Sequence, residues 1–438
     1  MSASRRLYQN DVDFAALAAQ DADVKSSGQV NFNDPAAVQS LTKALLKRDF
    51  DLELALPEDR LCPPVPNRLN YILWLQDLLD TTAEDFRDAF DPAREVVGLD
   101  IGTGASAIYP LLGCSQRRKW IFAGTDIDEK SIRYAQENVA RNSLKSRIKI
   151  VKTTPSGPLL PLDMIGLERI DFTMCNPPFY GSVDEMVSSA KRKQRPPFSA
   201  CTGSQIEMVT LGGEVAFVER MIVEGLKLKE RVRWYTTMLG KLSSVYAMVP
   251  RLEEARVTNW AVTEFIQGSK TRRWAIAWSW GDLRPSMSVC RGIPGLPKHL
   301  LPFPSEYLFN LSPASIDACA QRLNTTMDAL ALRWRWKPSL CTGVGFAEQN
   351  VWSRSARRKH ASPGRRSGVD GGAGGDGEDE DDEDDEDDET EPALGIKIQL
   401  RVGYQGSGVD VMIRWLKGRD SVIFESFCGM LKRKMEEA

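Results

Sequence analysis

Short apolar runs alternate with helical patterns from residue 96 onward, and this rhythm constrains the fold more than any other feature of the sequence. The run Val96–Ile101 has the composition of a buried strand, and the turn Gly102–Ser106 leads from it into a helix. Further apolar runs at Trp120–Thr125, Arg147–Val151 and Ile170–Met174 continue the alternation. Because parallel strands are joined by crossover helices, the rhythm predicts an α/β domain with a mostly parallel sheet.

Two features at strand ends point to a nucleoside-containing ligand. The glycines of the Gly102–Ser106 turn allow a backbone to approach a ligand at the carboxyl edge of the sheet. Asp126 ends the second strand, 24 residues beyond Gly102, where a carboxylate accepts hydrogen bonds from both hydroxyls of a ribose. The turn lacks the third glycine of the dinucleotide motif, so it is weak as an NAD site. NAD enzymes and S-adenosylmethionine enzymes share this geometry, and these two features do not separate them.

The tetrapeptide Asn176–Phe179 follows the fourth predicted strand. The amino group of adenine, or a side-chain amide, attacks poorly because its lone pair is delocalised into the neighbouring π system. The Asn176 amide oxygen and the carbonyl between Pro177 and Pro178 provide acceptors for both N–H groups, while Phe179 stacks on a flat substrate. The prolines fix φ and remove N–H donors, so the turn is rigid. An ordinary loop after a strand is the alternative interpretation of the motif taken alone, since Asn-Pro often opens a turn.

The order of these elements favours methyl transfer. A glycine turn, an acid at the tip of the next strand and then Asn-Pro-Pro-Phe is the order expected of a class I S-adenosylmethionine-dependent methyltransferase. In that class the fourth strand presents the target nitrogen. We therefore predict S-adenosylmethionine as the cofactor and Asn176, Pro177, Pro178 and Phe179 as the catalytic residues.

The net charge of −3 hides a basic folded part. The tract 376–391 holds fourteen acidic residues and no basic one, and the other 422 residues carry 57 − 46 = +11. An excess of this sign suits a polyanionic partner, although it also serves solubility. The chain has only two histidines and no Cys-x-x-Cys pair, so no metal site is predicted. No signal peptide or apolar span is evident, which favours a nuclear or cytosolic protein with reduced thiols and no membrane partner.

Basic residues near the start of the chain and after the tetrapeptide are candidate RNA contacts. Residues 1–80 read as a helical module, with one helix opening at Asp34-Pro35 and a second near Pro66. A stretch at 188–204 is predicted to be a loop from its prolines and polarity. A basic loop beside the target pocket suits a nucleic-acid backbone, and a merely solvated loop is the alternative. The predicted RNA-binding residues are Lys47, Arg48, Lys191, Arg192, Lys193 and Arg195.

The final third predicts a small α+β domain, residues 291–438, after a methyltransferase domain over 81–290. Its pattern gives a helix after Ser312-Pro313, strands at 330–337, 396–402 and 409–416, and a closing helix at 421–436. The glycine-rich and acidic insert 356–392 is disordered by composition. The acidic tract is expected to compete with RNA for basic surface, a hypothesis that deletion of 376–391 tests.

Beyond these patterns, the chain resembles the U6 small nuclear RNA adenine-N6 methyltransferase family, to which bacterial large-subunit ribosomal RNA adenine-N6 methyltransferases are related. The resemblance covers roughly residues 30 to 280. It rests on six segments: VQSLTKALLKRDF (38–50), VPNRLNYILW (65–74), LDIGTGASAIYPLLG (99–113), MCNPPF (174–179), RWYTTMLGK (233–241) and TEFIQGSKTRRWAIAWSW (263–280).

The resemblance implies a Rossmann-like, seven-stranded, mostly parallel sheet and an RNA carrying an ACAGA-type target. It implies that residues 176–179 hold the adenine, and that residues 1–80, the basic loop at 188–204 and the C-terminal domain bind the RNA. It also implies a protein of the nucleus, with the cytoplasm as a second location, and a role in pre-mRNA splicing. A monomer is favoured. The residues implied to contact the cofactor or shape its pocket are Arg68, Gly102, Ser106, Asp126 and Asn176.

The chain departs from the family pattern at three places. Asp126 stands where the animal enzymes have glutamate, and Tyr180 replaces a second phenylalanine after the motif. A loop that occludes the cofactor site in animal relatives would fall within 152–163, where its key lysine has no clear counterpart. That form of control is therefore in doubt for this chain.

Three other functions remain open from the sequence. Ribosomal RNA adenine methylation is one. Protein glutamine methylation uses the same tetrapeptide, although the basic segments argue against it. An RNA-binding protein that senses the methyl donor with little turnover is the third.

Overall fold

A computed structural model of the protein describes residues 7–8, 34–192, 203–267, 271–353 and 392–437. The chain divides into two compact units, Met1–Pro302 and Phe303–Ala438. In the first unit the helices and strands follow one another as α1 Pro35–Phe50, α2 Val65–Thr81, β1 Val96–Ile101, α3 Ile108–Gln116, β2 Trp120–Asp126, α4 Glu129–Arg141, β3 Ile148–Lys152, α5 Leu162–Ile165, β4 Ile170–Cys175, α6 Val183–Arg192, α7 Gln205–Met208, α8 Gly213–Leu228, β5 Val232–Leu239, α9 Leu242–Glu254, β6 Asn259–Gln267, β7 Thr271–Ser279, α10 Met287–Cys290 and β8 Arg291–Gly292.

The described strands of this unit form one sheet in the order β3-β2-β1-β4-β5-β7-β6-β8. The first five run parallel, whereas β7 is antiparallel to both β5 and β6. The predicted class I, Rossmann-like fold is confirmed. The sheet differs from the expected seven strands only by β8, a two-residue strand that pairs with β6.

The central pairing of β1 with β4 sets the position of the functional turns. Ile101 pairs with Cys175, so Gly102 and Asn176 each follow one member of a hydrogen-bonded pair. Close packing lies behind this pairing, because a Cβ atom added to Gly98 would lie 2.3 Å from the ring of Phe172. The glycine turn and the Asn-Pro-Pro turn therefore leave the same edge of the sheet side by side.

The N-terminal helices share one hydrophobic core with the sheet. Asp34 caps α1 by accepting from Ala36 N at 3.0 Å, as Asp-Pro predicts. Leu45 of α1 and Tyr71 of α2 lie in the same buried cluster as Phe122 and Phe172 of the sheet. The assignment of 1–80 as a helical RNA-binding module and of 81–290 as the methyltransferase domain remains a prediction.

Two asparagine side chains, one on α4 and one at its C-terminal cap, bind the segment between α1 and α2. Asn138 Oδ1 accepts from Ala55 N at 2.7 Å, and its Nδ2 donates to Ala55 O at 2.9 Å. Asn142 makes the same pair of bonds with Glu53, at 2.8 and 2.7 Å. Each amide thus forms the two backbone hydrogen bonds that a neighbouring strand would otherwise form. These bonds fix the segment between α1 and α2 against the end of α4.

The prediction that residues 188–204 form a loop is wrong for residues 188–192. Helix α6 continues through Arg192, so Lys191 and Arg192 are helical. Ser182 Oγ accepts from Glu185 N at 3.1 Å, and acidic Asp184 and Glu185 occupy the first turn, which are helix-starting features. Residues 193–202 lie outside the described residues, and so do the predicted contacts Lys193 and Arg195.

The second unit has the predicted α+β composition. Its elements are β9 Glu306–Leu311, α11 Ile316–Asp328, β10 Arg333–Lys337, β11 Thr342–Ala347, β12 Leu394–Val402, β13 Val409–Lys417 and α12 Ser421–Glu436. The strands form an antiparallel sheet in the order β10-β11-β12-β13-β9. Both helices bury apolar residues in one cluster with the inward side chains of the strands. The acidic tract 376–391 and the insert through residue 391 lie outside the described residues.

The described residues contain no metal-ion site, no membrane-spanning helix and no disulfide. No group of three or more histidine, cysteine, aspartate or glutamate side chains converges there as a metal-ion site. The helices described in this structure also include none with the length and apolarity needed to cross a membrane. The described cysteines form no disulfide.

The packing at Gly98 generates a stability prediction. Gly98→Ala places a methyl group against the buried Phe172 ring, so we expect a loss of roughly 1–3 kcal/mol in the free energy of unfolding, measured by urea denaturation. The control is Gly429→Ala on helix α12, where an added Cβ meets nothing within 4 Å. That change is expected to be neutral or to stabilise by up to about 1 kcal/mol. Equal effects of the two substitutions would contradict the packing argument.

Candidate active site

A cavity of about 420 Å³ opens at the carboxyl edge of the sheet in the first unit. Its wall includes all five residues predicted to contact a cofactor: Arg68, Gly102, Ser106, Asp126 and Asn176. Pro177 and Pro178 also line it, as do residues of the 153–159 segment and of the 206–210 segment. The structure therefore brings the glycine turn, the acid and the Asn-Pro-Pro turn to one cavity.

The acid at the tip of β2 is tied to the glycine turn. Gly102 and Gly104 have φ values of 71° and 64°, a left-handed conformation that favours glycine. This turn directs Gly104 N to Asp126 Oδ2 at 2.8 Å, while Asp128 N donates to Oδ1 at 2.9 Å. Burial raises the pKa of Asp126. The two backbone bonds fix the carboxylate on the cavity wall, where it remains able to accept further hydrogen bonds.

Asn176 presents an acceptor without a partner. Its Oδ1 atom is buried and makes no hydrogen bond to any residue in the described ranges. Directly before it, Cys175 N donates to the hydroxyl of Tyr71 at 3.5 Å, and that hydroxyl also contacts Thr236 Oγ1 at 2.6 Å. A buried amide oxygen is costly to leave unsatisfied, so this site fits a ligand that supplies an N–H group.

Phe179 occupies a different place from the other members of the motif. It is absent from the wall of the cavity, and its ring packs instead at Gly240, where an added Cβ would lie 2.9 Å from the ring. The guanidinium carbon of Arg273 lies 5.4 Å from the ring centroid. The aromatic ring thus meets Gly240 at one edge and lies near the Arg273 cation, beside the cavity rather than in it.

The glycine behind Phe179 is fixed by a buried carboxylate. Glu214, at the start of α8, is 3% exposed. It accepts from Gly240 N at 2.6 Å, from Lys241 N at 3.2 Å and from Ser244 Oγ at 2.5 Å. Burial raises the pKa of Glu214, and these bonds oppose the rise. In the sequence Glu214 resembles any acid in the first turn of a helix, so no signal there distinguishes it.

Asp100 is a second acid that the sequence did not single out. It is 0% exposed, and both of its carboxylate oxygens lack a hydrogen-bond partner within the described part of the chain. Burial, assisted by the negative charge of Asp126 and opposed by the nearby Thr103 hydroxyl and the Arg68 cation, raises the pKa of Asp100 to about 7. The available signal was its position in β1, two residues before Gly102. An unpaired carboxylate below a glycine turn fits a cationic ligand group.

Arg68 contributes a buried cation from helix α2 that attracts the Asp100 carboxylate without forming an ion pair with it. It is 6% exposed and donates to the hydroxyl of Tyr109 at 2.9 Å. No described carboxylate pairs with it, and its guanidinium lies 5.4 Å from the Tyr109 ring centroid. A buried guanidinium of this kind fits a carboxylate on a ligand.

One arginine binds the segment that forms a side of the cavity. Arg220 on α8 donates to the carbonyls of Pro155, at 3.3 Å, and Gly157, and pairs with Glu224 at 3.0 Å. Glu224 in turn accepts from Leu160 N at 2.9 Å. The 155–160 segment is therefore attached to a helix of the core.

The predicted RNA contacts in α1 lie away from the cavity wall and are paired with acids. Lys47 contacts Asp51 at 2.7 Å and Glu53 at 3.4 Å. Arg48 contacts Asp49 at 2.6 Å, and the hydroxyl of Tyr8 donates to the same carboxylate at 2.6 Å. Neighbouring acids thus offset part of the positive charge that the sequence pattern suggested.

Comparison with known proteins gives one family and several relatives. The family model described as RNA methyltransferase matches residues 2–282. A Schizosaccharomyces pombe protein named U6 small nuclear RNA (adenine-(43)-N(6))-methyltransferase is 36% identical over 420 residues, which cover 94% of this chain and 96% of that protein. The human RNA N(6)-adenosine-methyltransferase METTL16 is 42% identical over 295 residues. That match covers 64% of this chain and about half of the human protein, 51%.

Solved structures agree with these relatives. The catalytic domain of hMettl16 in complex with the MAT2A 3′UTR hairpin 1 has a TM-score of 0.57 at 41% identity, and the match covers 64% of this chain and 95% of that one. The N-terminal domain of human METTL16 in complex with SAH has a TM-score of 0.52 at 38% identity, covering 64% and 99%.

The raised pKa of Asp100 generates a prediction on pH and stability. Between the unfolded pKa near 4 and the folded pKa of about 7, the folded protein binds more protons than the unfolded chain, so this group lowers stability as pH rises. We expect Asp100→Asn to remove that contribution, so that its stability relative to wild type increases from about pH 5 to about pH 8. Urea unfolding across this range measures it. An unchanged pH dependence would contradict the assignment.

Proposed function

Since this chain belongs to the RNA methyltransferase family whose model matches residues 2–282, we propose that it transfers the methyl group of S-adenosylmethionine to N6 of an adenosine in structured RNA. U6 small nuclear RNA is the proposed substrate, in keeping with the name of the Schizosaccharomyces pombe relative that matches nearly the whole chain. The single observation that carries the chemistry is the unpartnered Asn176 oxygen in the cavity that also holds the glycine turn.

Asn176 and the proline turn are proposed to prepare the adenine amino group for attack. The Asn176 Oδ1 atom and the carbonyl of Pro177 each accept one N–H hydrogen, which favours a more tetrahedral nitrogen with an available lone pair. The proline backbone keeps these acceptors in place, so little reorganisation is needed during the reaction. Phe179 stacks on the flipped base beside the cavity.

The residues of the cavity fit the proposed cofactor group by group. S-adenosylmethionine supplies an electrophilic methyl group on a sulfonium. Asp126 would accept from the ribose hydroxyls, Arg68 would pair with the donor carboxylate, and Asp100 would accept from the donor ammonium. The fit rests on a guanidinium without an ion pair and an unpartnered carboxylate, both buried within the described residues. Gly102 and Ser106 shape the wall between them.

The proposed RNA substrate indicates where in the cell the protein acts and in which process. The names of the relatives state methylation of adenosine in RNA, in one case U6 small nuclear RNA. We place this protein in the nucleus and assign it a role in pre-mRNA splicing through U6 small nuclear RNA. The α1 residues Lys47 and Arg48, together with Lys191 and Arg192 of α6, remain proposed RNA contacts.

The proposed clamp predicts a selective loss of activity in Asn176→Ala. Removing one preorganised hydrogen-bonding group typically lowers turnover roughly 100-fold to 1,000-fold, so we expect that loss with RNA binding retained. N6-methyladenosine is measured by mass spectrometry after incubation of a U6-derived hairpin with S-adenosylmethionine. Asn142→Ala removes an amide at the C-terminal cap of α4, outside the cavity, and serves as the control that should retain activity. Full activity of Asn176→Ala, or none in the wild type, contradicts the proposal.

The second unit is proposed to bind the RNA through one face of its sheet. This face is the one opposite the packed tryptophans. On it, Arg335 of β10 pairs with Val344 of β11, which in turn pairs with Lys397 of β12, so the two basic residues lie in one row across the sheet. Exposed basic side chains recur along this face, and the edge strand β10 alternates them with the packed Trp334 and Trp336. The exposed or half-exposed basic residues of this face are Arg333, Arg335, Lys337, Lys397 and Arg401.

This face predicts an electrostatic contribution to RNA affinity. The double substitution Arg333→Gln and Arg335→Gln should weaken binding of a U6-derived RNA and reduce the slope of log affinity against log salt by about 2. Fluorescence anisotropy at several salt concentrations measures both quantities. The control, Lys432→Gln, changes a half-exposed lysine on helix α12 of the same unit. An unchanged salt slope in the double variant would remove this face from the RNA interface.

A further inference from the structure

Arg273 is a half-buried cation next to the aromatic ring of the Asn-Pro-Pro-Phe motif. It lies on β7, where it pairs across the sheet with Phe265 of β6. Its guanidinium carbon is 5.4 Å from the centroid of the Phe179 ring, and its Nη1 donates to the carbonyl of Arg272 at 2.9 Å. Unlike Arg68, it is absent from the wall of the cavity. Arg273 is therefore placed on the side of Phe179, outside the proposed donor site.

No carboxylate of the described residues pairs with this guanidinium. Burial, and then the neighbouring Arg68 cation, lower the pKa of Arg273. Glu214 attracts it, but the Glu214 oxygens are already bound by Gly240, Lys241 and Ser244. Arg273 thus lies near a like charge, and the carboxylate that attracts it is already bound by other donors, so its positive charge is not neutralised by an ion pair within the described residues.

The adjacent arginine shows the contrast. Arg272 is exposed and pairs with Glu264 through both carboxylate oxygens, each at 3.0 Å. Consecutive residues of a strand point to opposite faces, so the two arginines have the same backbone environment and different partners. Of the two, only Arg273 lacks an ion pair within the described residues, which makes Arg272 a matched control.

We propose that Arg273 binds a phosphodiester group flanking the target adenosine while the face of its guanidinium stays on the Phe179 ring. This inference rests on the proposed function, because the phosphate belongs to the RNA whose base stacks on Phe179. A guanidinium presents a planar fork of donors that matches a phosphate, and its face remains free to lie on an aromatic ring. The contact would fix the backbone of the flipped nucleotide relative to the Asn176 acceptor.

The test pairs substitutions in the protein with neutral linkages in the RNA. A U6-derived hairpin is prepared with a methylphosphonate at the phosphate 5′ or 3′ of the target adenosine, which removes one charge. We expect Arg273→Gln to lower kcat/KM on the unmodified hairpin roughly 10-fold to 100-fold, as for loss of a charged hydrogen bond. One of the two neutral linkages should lower kcat/KM of the wild type by a similar factor and have little further effect on the variant.

Three controls make the result specific. Arg272→Gln should stay within about 3-fold of wild type and should respond to the neutral linkage as the wild type does. The cycle is repeated with Arg273→Lys, and S-adenosylmethionine affinity is measured for each variant by calorimetry. Unchanged donor affinity in at least one Arg273 variant shows that the cavity is intact.

Two outcomes overturn the inference in distinguishable ways. If both neutral linkages lower the activity of wild type and of the Arg273 variants by the same factor, Arg273 does not bind a flanking phosphate, although the enzyme is an RNA methyltransferase. Loss of donor affinity in both Arg273 variants would likewise assign the residue a structural role. If the wild type does not methylate the unmodified hairpin, the proposed function itself fails, and the role of Arg273 fails with it.

Discussion

The parallel pairing of β1 with β4 is the constraint on which the site depends. Pairing of Ile101 with Cys175 places the residues that follow them, Gly102 and Asn176, at one edge of the sheet. The pairing requires a glycine at position 98, because the Phe172 ring fills the space that any side chain there would need. Helix α2 supports the same arrangement from outside, with the Tyr71 hydroxyl reaching both Cys175 N and Thr236 Oγ1. A shift of one residue between these strands would separate a donor from its acceptor clamp.

Local patterns predicted the elements and the chemical motifs well, because their signals are short in sequence. The closing helix at 421–436 begins after an aspartate cap, and the Asn-Pro-Pro turn directly follows a strand, as expected. Asp100, Glu214 and Arg273 were not predicted as site residues. Their roles depend on burial and on contacts with residues distant in the chain. In the sequence, nothing distinguishes them from the other charged residues.

The pattern of charged residues in the sequence was the poorest guide to the structure. The basic residues of α1 were interpreted as candidate RNA contacts, and the structure pairs Lys47 and Arg48 with nearby acids. The stretch from 188 was interpreted as a loop from its composition, although acidic residues in the preceding turn favour a helix through Arg192. In both cases the deciding residues were neighbours of opposite charge a few positions away.

Several contacts attach the 155–160 segment, which forms one side of the cavity, to helix α8. Arg220 donates to two carbonyls of the segment, and its ion-pair partner Glu224 accepts from the amide of Leu160. Releasing one of these bonds leaves the others in place, so the segment leaves its position only when several break together. A substitution at Arg220 or Glu224 would therefore remove contacts to both ends of the 155–160 segment, because each of the two side chains also holds the other in place.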